Sequence, residues 1–269
     1  EKPKSRKPIK TYSKLESKIN DVIKFIKKEI KIIKFLNHFL AIAKAMTNIG
    51  ESGISLWDEE DKFFYDVLHF PEEKPIHVKV RSIVGLIPIF AVEVLEPELL
   101  ERVPRFNEHL DWILENRPEL ASLVSRWNEP GRGHRHLFSL LRGSRLKCLL
   151  RRMLDEDEFL SSYGIRSMSK IHEKHPYVLH CEGKTKHCNG SSKVDYQPAE
   201  SNTHMFGGNS NWRGPIWFPV NFLLIESLQR FHHYYGSDFK VESPFTSGQK
   251  LTLEDVAEDI SNRLGDLFR

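Results

Sequence analysis

Apolar residues recur along most of the chain at the three- and four-residue spacing that is typical of amphipathic helices. Clear examples are NHFLAIAKAM, PELLERVPRFNEHLDWILENRP, HLFSLLRGSRLKCLLRRML, VNFLLIESLQRFHHYYG and LTLEDVAEDISNRLGDLF. The segment VGLIPIFAVEVLEP is apolar on nearly all sides, which predicts a buried helix with Pro88 in its first turn. Strand-like alternation is scarce, and IHVKVRS is the best candidate. The pattern therefore predicts an all-α fold of seven or eight paired helices, with long loops on one side.

The N-terminal segment differs from the rest of the chain in its charge. Residues 1–36 hold 12 Lys and Arg against 4 Asp and Glu, whereas the remaining residues hold 28 against 33. The stretch DVIKFIKKEIKIIKFL places apolar residues near one helix face, which is typical of a basic amphipathic helix. We therefore predict a basic amphipathic extension over residues 1–35, with its charged face in water, and a main domain over residues 36–269. Binding of a membrane or a nucleic acid by this helix is the less favoured alternative.

Composition places the chain in a broad class. With 269 residues and 39% hydrophobic content, it is long enough and apolar enough to form a packed core. No apolar run approaches the roughly 20 residues that a membrane helix needs, and the start, EKPKSRKPIK, does not resemble a secretory signal. Three cysteines are too few for a disulfide scaffold. We therefore expect a reducing, cytoplasmic setting.

Several familiar catalytic motifs are only partly present. Val178 stands where a phosphate-binding loop ending in Gly183-Lys184-Thr185 needs its first glycine, and His172 and His175 are one residue too close for a zinc-protease helix. The segment HCEGKTKHC could gather His180, Cys181, His187 and Cys188 around a metal, but its spacing fits no common zinc pattern. These motifs therefore do not support a nucleotide-binding protein or a metalloprotease.

The loops between the predicted helices are rich in carboxylates, arginines and large aromatic residues. Flat aromatic faces with convergent polar groups suit a ligand pocket, and sugars in particular need both. The alternative is that these groups form salt bridges between helices and aromatic plugs. The residues that we select as candidate sugar contacts are Trp57, Asp58, Asp61, Tyr65, Asp66, Arg81, Tyr163, Arg166, Asn209, Asn211, Trp212, Arg213 and Trp217.

Four segments make the chain recognisable: SLWDEEDKFFYD, KVRSIVGLIPIFAVEVLEP, FLSSYGIRSMSKIHEKHPY and GGNSNWRGPIWFPVNFLLIESLQRFHHYYG. They resemble the (α/α)6-barrel domain of glycoside hydrolase family 63 and the related mannosylglycerate hydrolase-like proteins. The resemblance covers residues 36–269. It implies an (α/α)6 toroid whose loops converge on a sugar pocket, with Trp212, Arg213 and Trp217 among its lining residues. Asn209 and Asn211 would position the loop or a hydroxyl group.

The resemblance also implies inverting hydrolysis of an α-linked glucoside or mannoside, in which one carboxylic acid protonates the leaving oxygen and a carboxylate activates water. Members of the family use an Asp as the acid and a Glu as the base, so the resemblance implies that neither a metal nor an organic cofactor is required. Neither flanking segment that carries them is recognisable here, and the full toroid needs twelve helices. We therefore expect an incomplete toroid that is inactive alone, with exposed faces prone to self-association.

Two further function classes remain open at this stage. The chain could be a carbohydrate-binding module without catalysis, or a helical scaffold that binds proteins. A binding module would lose affinity for sugar in Trp212→Ala or Arg213→Ala, whereas a scaffold would be indifferent to both changes.

Overall fold

The computed structural model describes residues 10–49, 53–69, 74–124, 127, 129–181, 190–198, 213–242 and 248–269. Among these residues, more lie in helices than in strands, and five of the α-helices exceed ten residues. The α-helices are α1 (Lys10–Thr47), α2 (Pro97–Leu100), α3 (Pro104–Asn116), α4 (Pro118–Ala121), α5 (Gly143–Met153), α6 (Ile171–Lys174), α7 (Phe218–Tyr235) and α8 (Leu253–Gly265). Short 3-10 helices occupy Ile83–Phe90, Arg132–His134, Gly236–Asp238 and Asp266–Phe268.

Twelve short strands join the helices, and they form two-stranded antiparallel pairs. The pairs are β1 (Trp57–Asp58) with β2 (Phe63–Phe64), β3 (Asp66–Leu68) with β4 (Ile76–Val78), β5 (Val92–Leu95) with β6 (His136–Ser139), β7 (Leu160–Ser161) with β8 (Gly164–Ile165), β9 (Tyr177–Cys181) with β10 (Gly190–Val194), and β11 (Lys240–Glu242) with β12 (Lys250–Thr252). The fold is therefore mostly helical but not all-α, and the described residues do not close into a ring.

The segment VGLIPIFAVEVL does not form the buried α-helix that the sequence predicts. Residues Ile83–Phe90 form a 3-10 helix with Pro88 inside it, and Val92–Leu95 form a strand. The strand pairs Val92 with Ser139 and Leu95 with His136, so the helix predicted to begin at His136 begins only at Gly143. A continuous apolar run has no periodicity that would distinguish a buried helix from a buried strand. Here the segment is a strand because it pairs with β6, which lies more than forty residues away in the sequence.

The expected short strand in IHVKVRS is present as β4, which pairs with β3. The acidic and aromatic segment from Trp57 to Asp66 is not helical and forms β1, β2 and the start of β3. The 3-10 helix packs closely on this hairpin: a Cβ atom at Gly85 would lie 2.2 Å from Cε1 of Phe63. This close approach requires glycine and fixes the hairpin against the core.

The main core lies where α5, α7 and α8 meet the hairpins. Helices α7 and α8 pack against each other, and α8 begins with a capping box in which Thr252 and Asp255 bond reciprocally. The fully buried side chains at the centre of this core include Leu146, Leu149, Leu150, Leu224, Phe231 and Ile260.

A second, smaller core joins α1 to α3. Leu36 and Leu40 of α1 pack with Phe106 and Leu110 of α3 around Trp127. Helix α1 crosses the proposed boundary at residue 36 without interruption, and the division into residues 1–35 and 36–269 stays a prediction. No helix among the described residues is both long enough and apolar enough to cross a membrane.

Candidate functional site

Strand β1 presents two neighbouring residues of the predicted site to opposite sides. Successive side chains of a strand point to opposite faces, and the Trp57 ring packs 4.9 Å from that of Phe64 and lies beneath the guanidinium of Arg145 at 4.8 Å. The Asp58 carboxylate turns to a polar cluster instead. Its Oδ1 accepts the N–H groups of Glu60 at 3.0 Å and Asp61 at 2.7 Å, which fixes the turn between β1 and β2.

Two basic residues after β4 face this turn. Lys79 Nζ lies 3.2 Å from Oδ2 of Asp58 and 3.2 Å from Oδ2 of Asp61. The Arg81 guanidinium reaches further inward: its Nη2 lies 3.1 Å from Asp61 Oδ1 and its Nε donates to the Tyr65 hydroxyl at 3.1 Å. The Tyr65 hydroxyl donates in turn to Asp61 Oδ2 at 3.1 Å. Four predicted site residues, Asp58, Asp61, Tyr65 and Arg81, are thus brought together.

The inner wall of this cluster comes from the end of α5 and the loop after it. Glu158 Oε1 lies 3.3 Å from Nη1 of Arg81 and 2.5 Å from Nη1 of Arg152. Arg152 also donates to the backbone carbonyl of Asp61 at 2.5 Å, and Ser169 Oγ donates to Glu158 Oε2 at 3.3 Å. These contacts connect the hairpin to α5 through charged groups with little exposure.

His172 contacts this cluster through the backbone of Arg81. Its Nε2 accepts the backbone N–H of Arg81 at 2.8 Å, so the proton of the neutral ring lies on Nδ1 and is donated to the carbonyl of His175 at 3.0 Å. Burial lowers the pKa of His172. We name the set Asp58, Asp61, Tyr65, Lys79, Arg81, Arg152, Glu158 and His172 the Arg81 cluster.

The charges of the Arg81 cluster follow from its contacts. Burial alone would raise the pKa of Asp61, but the Lys79 hydrogen bond and the Arg81 charge outweigh burial and lower the pKa. For Asp58, too, burial opposes ionisation, and the backbone N–H of Asp61 together with Lys79 lowers its pKa. Burial raises the pKa of Tyr65 to about 12. Near neutral pH, the cluster therefore presents two ionised aspartates and a neutral tyrosine hydroxyl.

Three predicted loops lie against one another beside this cluster. The backbone N–H of Ile83 donates to the backbone carbonyl of Ser167 at 2.8 Å, and the backbone N–H of Ser167 donates to the carbonyl of Pro215 at 3.0 Å. Arg213 is fully buried and its Nη1 lies 2.9 Å from Asp195 Oδ1, while the N–H of Gly214 donates to Ser167 Oγ at 3.0 Å. The segments around Arg81, Arg166 and Arg213 are therefore adjacent, as a shared site requires.

The remaining predicted residues occupy varied positions. Arg166 donates to the backbone carbonyls of Glu156 and Glu158, and Trp217 precedes α7 with its carbonyl accepting from Asn221. Asp66 on β3 and Tyr163 between β7 and β8 are exposed. Asn209, Asn211 and Trp212 lie outside the described residues.

Sequence reasoning missed Lys79, Arg152, Glu158 and His172. The alternation in KVR does place Lys79 and Arg81 on one strand face, and this signal could have found Lys79. Nothing local connects the other three with the hairpin, since Arg152 lies 91 positions from Asp61. Among the described residues, no three His, Cys, Asp or Glu side chains are grouped as a metal site would require. The side chains proposed from HCEGKTKHC lie outside the described part.

Comparison with known proteins places this geometry in context. No protein-family model matches the chain. The chain is 45% identical over 247 residues to the uncharacterized protein YMR196W of Saccharomyces cerevisiae, with 87% of this chain and 22% of that protein covered. It is 24% identical over 169 residues to a "probable mannosyl-oligosaccharide glucosidase" of Schizosaccharomyces pombe, with 59% of this chain and 16% of that protein covered. The chain thus spans about a fifth of the length of these relatives, and it has a distant, partial similarity to a glucosidase.

Proposed function

We propose that the chain is the sugar-binding part of an inverting glycoside hydrolase of the family 63 type, which acts on an α-linked glucoside or mannoside oligosaccharide. The observation that carries this proposal is the Arg81 cluster. It unites Arg81 with Asp58, Asp61 and Tyr65 of the preceding hairpin, and all four were selected as sugar contacts. The distant similarity to a glucosidase supports the same reaction class.

The chemistry of the cluster suits recognition of hydroxyl groups. The ionised aspartates accept hydrogen bonds, whereas Lys79, Arg81 and the neutral Tyr65 hydroxyl can donate them. The cluster is not sealed, because the Asp61 side chain is 22% exposed and that of Lys79 is 38% exposed. A sugar hydroxyl could therefore replace water at the outer edge while the inner bonds of Arg81 keep the acceptors in place.

The same charges argue against Asp58 and Asp61 as the catalytic acid. A general acid must hold its proton near neutral pH and needs a raised pKa, whereas both of these carboxyl groups have lowered pKa values. We therefore assign them to substrate binding and place the acid and base in parts of the complete polypeptide outside this chain. The chain alone is expected to bind the oligosaccharide without hydrolysing it.

Binding and turnover test this proposal separately. Glycan-array and calorimetric measurements on the chain should detect binding of an oligosaccharide with a terminal α-linked glucose or mannose. The Asp61→Asn variant should weaken that binding about tenfold, through the loss of a charged acceptor. The matched control is Asp111→Asn, which alters an exposed aspartate on α3 and should bind as the unaltered chain does.

Hydrolysis is measured on the complete polypeptide that contains this chain. The released sugar should be the β-anomer from an α-linkage, as inversion requires, and Asp61→Asn should reduce the rate. Binding by the chain without any turnover by the complete polypeptide would favour a binding module instead. Absence of binding and of turnover on every α-linked glucoside and mannoside tested would refute the proposal.

A further inference from the structure

A large cleft lies at the far end of α5 from the Arg81 cluster. Its volume is about 1060 Å³, and its walls come from the ends of α3 and α7, the loop around Arg132 and the first turn of α5. Helix α5 begins in this cleft at Gly143 and carries Arg152 into the Arg81 cluster nine residues later, a rise of about 14 Å. We name this cavity the Tyr235 cleft, after the half-buried tyrosine in its floor.

Three basic residues, Arg132, Arg142 and Lys147, line the Tyr235 cleft. Lys147 Nζ lies 4.8 Å from the centre of the Phe239 ring. Arg132 lies beside Gly236, where a Cβ atom would be 3.3 Å from its Cδ. Arg142 precedes Gly143, where a Cβ atom would be 3.3 Å from the Tyr235 hydroxyl oxygen. Lys147 and Arg132 therefore stand next to the segment from Tyr235 to Phe239, and Arg142 lines the cleft at the start of α5.

In the part of the chain that the structure describes, these three cations lack the ion pairs that other basic side chains near the core form. Arg81, Arg135, Arg152 and Arg213 each form an ion pair with a carboxylate. Within the described ranges, Arg132, Arg142 and Lys147 form no ion pair, although Arg142 donates to the backbone carbonyl of Ser122 at 3.1 Å. The described lining of the cleft thus holds three cations against two carboxylates, those of Glu129 and Asp238, and this excess of positive charge favours an anionic ligand.

The rest of the lining indicates what the anion is attached to. Tyr235 stacks on Phe239 at 4.6 Å, which provides an apolar wall at the floor of the cleft. Ser122, Ser144 and Asp238 also line the cleft, and hydroxyl and carboxylate groups bond to alcohols. A ligand that combines a phosphate with a hydroxylated ring matches both parts.

We propose that the Tyr235 cleft binds a phosphorylated sugar, with its phosphate held by Arg132, Arg142 and Lys147 and its ring against Tyr235 and Phe239. Phosphate carries enough charge and enough acceptors to engage several cations at once. This site is separate from the Arg81 cluster and does not depend on the glycosidase proposal.

Calorimetry on the full chain with glucose 6-phosphate as the probe tests the cleft. Glucose 6-phosphate should bind at least about tenfold more tightly than inorganic phosphate or glucose, because only the ester engages both the cations and the wall. No binding of glucose 6-phosphate, or binding no tighter than that of inorganic phosphate, overturns the proposal.

Variants on one helix locate the binding. Lys147→Gln should weaken binding of glucose 6-phosphate about tenfold, and Lys147→Arg, which keeps the charge, should restore most of it. Arg151→Gln is the matched control, because Arg151 is exposed on the same helix and outside the cleft. Asp61→Asn should leave this binding unchanged, so that failure here is distinguishable from failure of the glycosidase proposal. Equal loss in Lys147→Gln and Arg151→Gln would contradict the site.

A lipid headgroup could present the same phosphate chemistry, and vesicles distinguish the two sources. The chain should not sediment with phosphatidic acid vesicles under conditions in which it binds glucose 6-phosphate. Sedimentation that Lys147→Gln abolishes and glucose 6-phosphate does not compete would assign the cleft to a membrane surface and overturn the proposal for a soluble sugar phosphate.

Discussion

His172 shows how one buried side chain can organise a polar site without taking part in chemistry. Its two ring nitrogens bond to the backbone N–H of Arg81 and to the carbonyl of His175, and these two bonds are satisfied together only by the neutral ring. Protonation would place an N–H against the N–H of Arg81. The backbone position of Arg81, and with it the arrangement of Asp61, Tyr65 and Glu158, therefore depends on the charge state of His172.

This dependence predicts a loss of stability in mild acid. Because burial lowers the folded-state pKa of His172 below its ordinary value of 6.5, the unfolded chain binds more protons in this range, and the free energy of unfolding falls as the pH drops below about 6.5. Urea unfolding followed between pH 7.5 and pH 5 should show this slope. In His172→Gln, whose amide has no titrating group, the slope should be smaller.

The His172→Gln measurement has an internal control at lower pH. The lowered pKa values of Asp58 and Asp61 stabilise the fold above their unfolded value near 3.8, and that stabilisation is lost as the pH falls through the lower folded values. This second decline lies below about pH 4 and should remain in His172→Gln. An unchanged slope between pH 7.5 and pH 5 in the variant would show that His172 does not control it.

At the level of single residues, the sequence identifies the types of side chain but not their surroundings in the fold. Asp58, Asp61 and Tyr65 fall within ten positions and share a hairpin, so composition alone could group them. Arg213 was selected for a sugar pocket, and its fully buried guanidinium bonds Asp195. Its role in sugar binding stays a prediction. Its burial depends on residues that are distant in sequence, and a local motif does not contain them.

Among the secondary structure elements, α7 is tied to the β7–β8 hairpin by a single buried amide. Asn221 Oδ1 accepts the N–H of Ile165 at 2.7 Å, and its Nδ2 donates to the carbonyl of Ile165 at 3.0 Å. The Asn221 side chain makes the two hydrogen bonds that a neighbouring strand would make, and it satisfies both backbone groups of Ile165 at the edge of the hairpin. Gly164 makes room for it, since a Cβ atom there would lie 2.9 Å from Asn221 Oδ1.

Asn221→Ala should therefore lower the free energy of unfolding by about 2–3 kcal/mol, because two buried backbone groups lose their partner. Gln229→Ala, an exposed change on the same helix, should cost less than about 0.5 kcal/mol. Urea unfolding of both variants checks the difference. Equal stability of the two variants would mean that water replaces the amide at Ile165.

The sequence predicted long amphipathic elements well and short paired strands poorly. α3, α7 and α8 have a polar face and an apolar face, and that periodicity is visible locally. The strand at Val92–Leu95 exists because it pairs with His136–Ser139, and no local pattern reports such a partner. When only periodicity is used, the sequence of a fold with many two-stranded pairs therefore predicts helices and loops.

For the molecule as a whole, the two largest apolar clusters among the described residues differ in size and contribute separately to stability. The main core surrounds α5, α7 and α8, and the smaller one joins α1 to α3 around Trp127. α1 also carries exposed apolar side chains, such as Val22, Ile30 and Phe35, that the rest of the described chain leaves uncovered. Self-association through such faces stays a prediction.

Hydrogen exchange should reveal this division. Amides of α1 and α3 are expected to exchange faster than amides of α7 and α8, because opening the smaller core exposes less apolar surface. Leu40→Ala should accelerate exchange in α1 and α3 while leaving α7 and α8 nearly unchanged. Uniform acceleration across all four helices would show instead that the two cores unfold as one unit.

Strand β1, which is only two residues long, lies between two different environments. Trp57 faces a cavity of about 500 Å³ that borders the Tyr235 cleft at Ser122, Arg142 and Ser144, while Asp58 faces the Arg81 cluster. Because the two residues share one peptide unit, a ligand that displaces the backbone at Trp57 also displaces the Asp58 carboxylate. Any such effect is reciprocal: the free energy by which occupancy on one side alters affinity on the other is the same in both directions.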